Sequence, residues 1–166
     1  CMVLVELLNT LRLSRIAFHA RTGKQQYKGH PDLEAFQGFY ELCQHPLYYN
    51  GGIESLSDIR QILIRFPLLK GVFIGRGLLS SPLLAKEFKG NETFLPEQRM
   101  SIYFAFHEEL FSAYSQVLQG ETQLLVKMKT LWEYFLPETD RKLLKRIKKS
   151  TRLQQYTESV KAIFTS

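Results

Sequence analysis

At 166 residues, with 45% hydrophobic and 13% aromatic side chains, the chain has ample material for a packed core and reads as one globular domain or two small ones. Its longest apolar runs fall far short of the roughly 20 residues that span a bilayer and no signal peptide precedes them, so no membrane partner and a cytoplasmic location are expected. Of the net charge of +6, residues 138 to 166 carry +5, from eight Lys and Arg against three acids, and a basic end on a balanced chain points to a polyanion partner or to a solvated helix face.

The chain opens on apolar residues at helical spacing, Met2 to Leu11, with no capping residue ahead of them. Residues 15 to 20 predict a short buried strand, followed by a polar loop from Arg21 to His30. Pro31 and Asp32 start a helix to about Gln44, and residues 46 to 49 form a second strand stopped by Asn50-Gly51-Gly52. Ser55 or Ser57 caps a helix to about Arg65, ended by Pro67. Residues 70 to 74 are a third strand, Gly75-Arg76-Gly77 its loop, and Ser81-Pro82 begins a short helix ending near Gly90. Strand, loop and helix repeated three times at spacings of about 30 residues predict parallel βα units with strands buried on both faces. Right-handed crossovers then place His19, Asn50 and Arg76 on one rim.

After Pro96 the strand signal disappears. Helices are expected over 98–118, 121–136, 139–149 and 153–164, a small bundle. The reading divides the chain into an α/β part, residues 1–92, and an all-α part, residues 93–166. Cys1 and Cys43 form neither a disulfide framework nor a CxxC pair, and no metal site is expected.

Two glycine loops after successive parallel strands are the most informative pieces, because glycine lets a backbone approach a ligand and exposes N–H donors to phosphate. Arg76 would add a fixed charge with a bidentate fork. Either loop alone is an ordinary turn. His19 is either a structural residue or a donor to a carbonyl or ring nitrogen of a cofactor. Arg21 is a second cationic candidate beside it, and Tyr27 in Tyr27-Lys28-Gly29 either positions a substrate or simply packs. On the last helices Arg141, Lys145, Lys148, Lys149 and Arg152 share one face if the helix continues through Ser150, with Lys145 and Lys149 the candidate phosphate contacts.

His19-Ala20-Arg21-Thr22 with Tyr27-Lys28-Gly29, then Tyr49-Asn50-Gly51-Gly52-Ile53, then Ile74-Gly75-Arg76-Gly77-Leu78-Leu79 with Pro82, resembles the barrel end of the tRNA-dihydrouridine synthases. The resemblance implies the C-terminal portion of an FMN-binding (β/α)8 TIM barrel, about three βα units, followed by a helical tRNA-binding domain. It implies that His19 contacts the flavin and that Asn50, Gly51, Gly52, Gly75 and Arg76 hold the FMN phosphate. It also implies NADPH as reductant and uridine in tRNA as substrate. The family's catalytic Cys in Asn-x-Gly-Cys-Pro and its Lys beside the flavin have no counterpart here, so no catalytic residue is assigned in this chain. A whole barrel takes about 250 residues, so the chain is expected to be a fragment that is inactive alone and that self-associates or retains the missing half. The alternatives are a fragment of another FMN-dependent barrel oxidoreductase and a non-catalytic RNA-binding module.

Overall fold

The structure is a computed structural model and describes residues 2–25 and 29–165. Its elements in order are α1 (Met2–Asn9), β1 (Ile16–His19), α2 (Leu33–Leu42), β2 (Leu47–Asn50), α3 (Leu56–Arg65), β3 (Gly71–Phe73), α4 (Arg76–Ser80), α5 (Leu84–Gly90), α6 (Pro96–Val117), α7 (Glu121–Leu131), α8 (Arg141–Lys149) and α9 (Leu153–Phe164). The chain divides into two compact units, 1–77 and 78–166.

In the first unit the strands form a three-stranded parallel sheet in the order β1-β2-β3. The expected helices are nucleated by local chemistry. Asp32 accepts from the backbone N–H groups of Glu34 and Ala35 to cap α2, and Ser55 and Asp58 make a reciprocal capping box on α3. Strand alternation puts Phe18 and Tyr49 on one face, where Phe18 stacks on Phe39 at 4.3 Å and Tyr49 meets the edge of Phe36 at 4.8 Å. Phe36, Ile59 and Phe66 complete this core. The opposite face carries Ala17, Tyr48 and Phe73, and there Ala17 is exposed and Phe73 is 45% exposed. The expectation of strands buried on both faces is therefore corrected, because among the described residues helices cover only one side. α1 is tied to the end of α2 by Asn9, which donates to Leu42 O at 2.8 Å and accepts from Gln44 N at 3.0 Å.

Gly75-Arg76-Gly77, expected as a loop, instead turns into α4 at Arg76. Gly77 is buried there, and a Cβ on it would collide with the carbonyl oxygen of Ile53. The glycine answers a close approach of backbones rather than a turn.

In the second unit α5 to α9 pack around Met128, Trp132, Phe135, Ile147, Tyr156 and Val160. α7 stops at Leu131, short of the expected 136, and a series of turns leads to Leu136, whose φ of 48° precedes Pro137. The proline ring disfavours right-handed helix in the residue before it. α8 ends at Lys149, the expected end, with Ser150 as its C-cap, so the condition for one continuous basic face, a helix running on through Ser150, is not met. Lys129 Nζ donates to Ser150 O at 2.7 Å, a cation on the carbonyl end of α8.

Two polar networks are built into this unit, the first buried and the second partly exposed through Arg99. His107, Trp132 and Tyr156 meet at the Tyr156 hydroxyl, 2.6 Å from His107 Nε2 and 2.9 Å from Trp132 Nε1. Glu87 pairs with Arg99, which also donates to the Tyr103 hydroxyl, and that hydroxyl lies 2.7 Å from Ser81 Oγ. This second network, with Leu83 buried in the bundle core, joins residues 81–87 to α6 within the second compact unit.

Candidate functional site

Parallel pairing sets His19 opposite Asn50 and Asn50 opposite Phe73, so the last residues of three strands form one row across the uncovered face. At their C-terminal ends a pocket of about 240 Å³ is lined by His19, Asn50, Gly51, Gly52, Gly75 and Arg76, together with Ile53, Glu54 and Phe73. The structure thus brings together His19, Asn50 and Arg76, expected on one rim, and with them Gly51, Gly52 and Gly75, the other candidate cofactor-binding residues. Ile53, Glu54 and Phe73 were not expected, although the alternation of β3 in parallel register would have put Phe73 beside His19 and Asn50.

Gly51 and Gly52 adopt φ of 138° and 61°, values that favour glycine. A Cβ at Gly51 would lie 2.8 Å from His19 Cδ2 and 2.9 Å from Pro31 Cγ, so the backbone is pressed against the imidazole with no room between. His19 Nε2 is buried and has no hydrogen-bond partner among the described residues. Burial, then the charges of Arg21 and Arg76, holds the His19 pKa below its ordinary value, which keeps the ring neutral at pH 7. A neutral imidazole with an unpaired nitrogen is an unmet hydrogen-bonding capacity in a concave polar site. Arg76 is the first residue of α4, half-buried, with Nη2 4.0 Å from Glu54 Oε1. Arg76 therefore sets a positive charge beside the glycine loops, with Glu54 at its edge.

The remaining expected residues lie elsewhere. Arg21 Nη2 donates to Gly29 O at 2.8 Å and pins its own loop, outside the pocket lining. Tyr27, with Lys28, lies outside the described residues. Lys145 and Lys149 are exposed on α8 and line a groove between α8 and α9 with Lys142, Arg146, Gln155 and Ser159. Arg141, Lys148 and Arg152 do not line it, because α8 ends before Arg152 and the charged face is set by positions 142, 145, 146 and 149. Among the described residues no three of His, Cys, Asp and Glu are grouped to hold a metal ion, and no helix is long and apolar enough to cross a membrane.

The model of one family, described as dihydrouridine synthase, matches residues 3–165. A protein of Aquifex aeolicus (strain VF5) described as a probable tRNA-dihydrouridine synthase is 34% identical over 86 residues, which is 52% of this chain and 27% of that protein. One of Rhizobium leguminosarum bv. phaseoli with the same description is 36% identical over 67 residues, 40% of this chain and 21% of that protein. The aligned chain thus spans about a quarter of the length of these relatives.

Proposed function

This chain belongs to the dihydrouridine synthase family, and from that premise we propose that it is the part of a tRNA-dihydrouridine synthase that holds the FMN phosphate and grips tRNA. The observation that carries the reading is the pocket in which two glycine loops, Arg76 and the unpaired nitrogen of His19 converge. Gly51, Gly52, Gly75 and Arg76 would hold the phosphate, Asn50 would fix the loop end, and His19 would donate to or accept from the flavin ring. The donor set suits a phosphorylated aromatic cofactor, since a fixed cation and close backbone sit beside a neutral imidazole and the Phe73 ring. The chemistry supplied by FMN, with NADPH as reductant, is hydride delivery to C6 of a uridine ring in tRNA. Within this chain the residues would bind and orient, and no group that protonates C5 is assigned among them.

The same reading makes the first unit the last strands of a TIM barrel. Its uncovered sheet face and the exposed Val3, Leu4 and Leu7 of α1 are then surfaces for the rest of the barrel or for a second copy. The second unit is the tRNA-binding domain, with Lys145 and Lys149 on backbone phosphates. The working location is the cytoplasm.

The test is a titration of FMN, followed by quenching of flavin fluorescence, on the native chain and on Arg76→Ala. Loss of the guanidinium should weaken binding about tenfold or more, the cost of a charge-assisted hydrogen bond. Equal affinity in the two proteins would overturn the assignment.

A further inference from the structure

Pro31 does not line the cofactor pocket, yet its ring reaches the space that a side chain at Gly51 would occupy. A Cβ there would meet Pro31 Cγ at 2.9 Å and His19 Cδ2 at 2.8 Å, and one at Gly52 would meet Pro31 Cδ at 3.1 Å. The pyrrolidine and the imidazole therefore close on the same glycine loop together. The proline is itself held firmly from both sides. Gln25 Nε2 donates to the His30 carbonyl at 2.8 Å, Asp32 N donates to the Ala20 carbonyl at 2.8 Å, and the Asp32 carboxylate caps α2. It lines a second cavity of about 330 Å³ with Leu33, Tyr49 and Ile62, and Gly51, Gly52 and Ile53 line both hollows, so the glycine loop that Pro31 approaches is the partition between them.

From this we infer that Pro31 is a positioning residue: it wedges the Gly51-Gly52 loop against His19 and so fixes the orientation of the imidazole, whose buried Nε2 lies 3.0 Å from where a Gly51 Cβ would stand. The inference deepens the cofactor-site reading and rests on it, but the wedge is a property of the free protein. A β-branched side chain could replace the proline in part, since it keeps atoms at the γ position, whereas alanine removes both ring atoms that close off the space beside Gly51 and Gly52. With the wedge gone the ring gains water and rotational freedom, and the burial that lowers its pKa is reduced. The charges of Arg21 and Arg76, the other groups acting on it, are left in place.

The experiment follows the imidazole Cε1–Hε1 signal of His19 by NMR through a pH titration without ligand, with His19→Gln to identify the signal among the four histidines. In the native chain the midpoint should lie below 6.5. Pro31→Ala should move it up toward 6.5 and weaken FMN about tenfold, the worth of one well-aimed hydrogen bond. Pro31→Val should recover most of both. Should Pro31→Ala fail to fold, Gly52→Asn tests the same contact, because asparagine tolerates the φ of 61° and its Cβ pushes on Pro31 Cδ. An unchanged His19 midpoint in a folded Pro31→Ala protein would overturn the wedge, as would FMN loss in Pro31→Ala and Pro31→Val alike. Failure of FMN to bind the native chain would sink the cofactor reading alone, since the ligand-free titration still decides the role of Pro31.

Discussion

Tyr156→Phe deletes one oxygen at the centre of the helical unit. Trp132 Nε1–H can only donate, so the Tyr156 hydroxyl accepts from it at 2.9 Å. The phenolic proton is then free for His107 Nε2 at 2.6 Å, and His107 Nδ1–H donates to Glu108 Oε1 at 3.1 Å. In the phenylalanine variant the indole N–H and the imidazole nitrogen stay buried, at 2% and 1% residue exposure, and both lose their partner. Each orphaned group costs about 1–3 kcal/mol, so the loss from the two is about 2–6 kcal/mol. At about 4 °C or more per kcal/mol for a unit of this size, the melting midpoint should drop by at least about 8 °C. Urea unfolding followed by the fluorescence of Trp132, the single tryptophan of the sequence, reads this unit directly. Adding His107→Leu to Tyr156→Phe should recover part of the loss by removing one orphan. A change below about 0.5 kcal/mol would refute the reasoning, since it is what an ordinary surface substitution gives.

The same histidine makes the unit sensitive to acid. Burial holds the His107 pKa below 6.5 against the opposing pull of Glu108, so the unfolded chain binds more protons there. Stability should be level above pH 6.5 and decline below it as the pH approaches the lowered folded value, and an equal urea midpoint at about pH 7.5 and about pH 5.5 would contradict this. Gly51→Ala forces a Cβ onto His19 and Pro31 at a φ of 138° and should destabilise the first unit by about 1–3 kcal/mol while lowering FMN affinity, which thermal melting and flavin titration would show. Lys145→Glu with Lys149→Glu should weaken all tRNAs alike and reduce the slope of affinity against salt by about two units. Filter binding over a salt series checks this, and equal slopes would leave the basic groove as ordinary surface.

The sequence was most readable where glycine, proline and capping residues punctuate short apolar runs. Asp32, Ser55 and the Asn50-Gly51-Gly52 stop mark real ends, and three such stops in parallel register were enough to gather six pocket residues. It was least readable where a residue serves two purposes. Gly77 looks like a turn glycine, but its place is dictated by the Ile53 carbonyl, a contact across 24 residues that no local pattern reveals. The continuous apolar strands suggested burial on both sides, whereas the described helices cover only the Phe18 and Tyr49 face. The charged stretch from Arg141 to Arg152 would make one helical face only if the helix ran on through Ser150, and the helix ends at Lys149 where the sequence reading placed it, so Arg152 leaves that face. The His107, Trp132 and Tyr156 cluster joins positions 49 and 24 residues apart, and it was invisible in each helix alone.

The tie of Glu87, Arg99, Tyr103 and Ser81 bears on how the gene can be dissected. A helical piece begun at residue 93 would discard Leu83 from the apolar centre and strip Arg99 of its carboxylate, and Tyr103 would lose its bond to Ser81. Such a piece would carry a hole and a stranded cation on the face that residues 78–92 had closed. Begun at residue 78 it keeps all of them, at the expense of cutting through α4. For chimeras, truncations and fusions the segment 78–92 travels with the helices as their collar, and the seam lies at the glycine that follows Arg76.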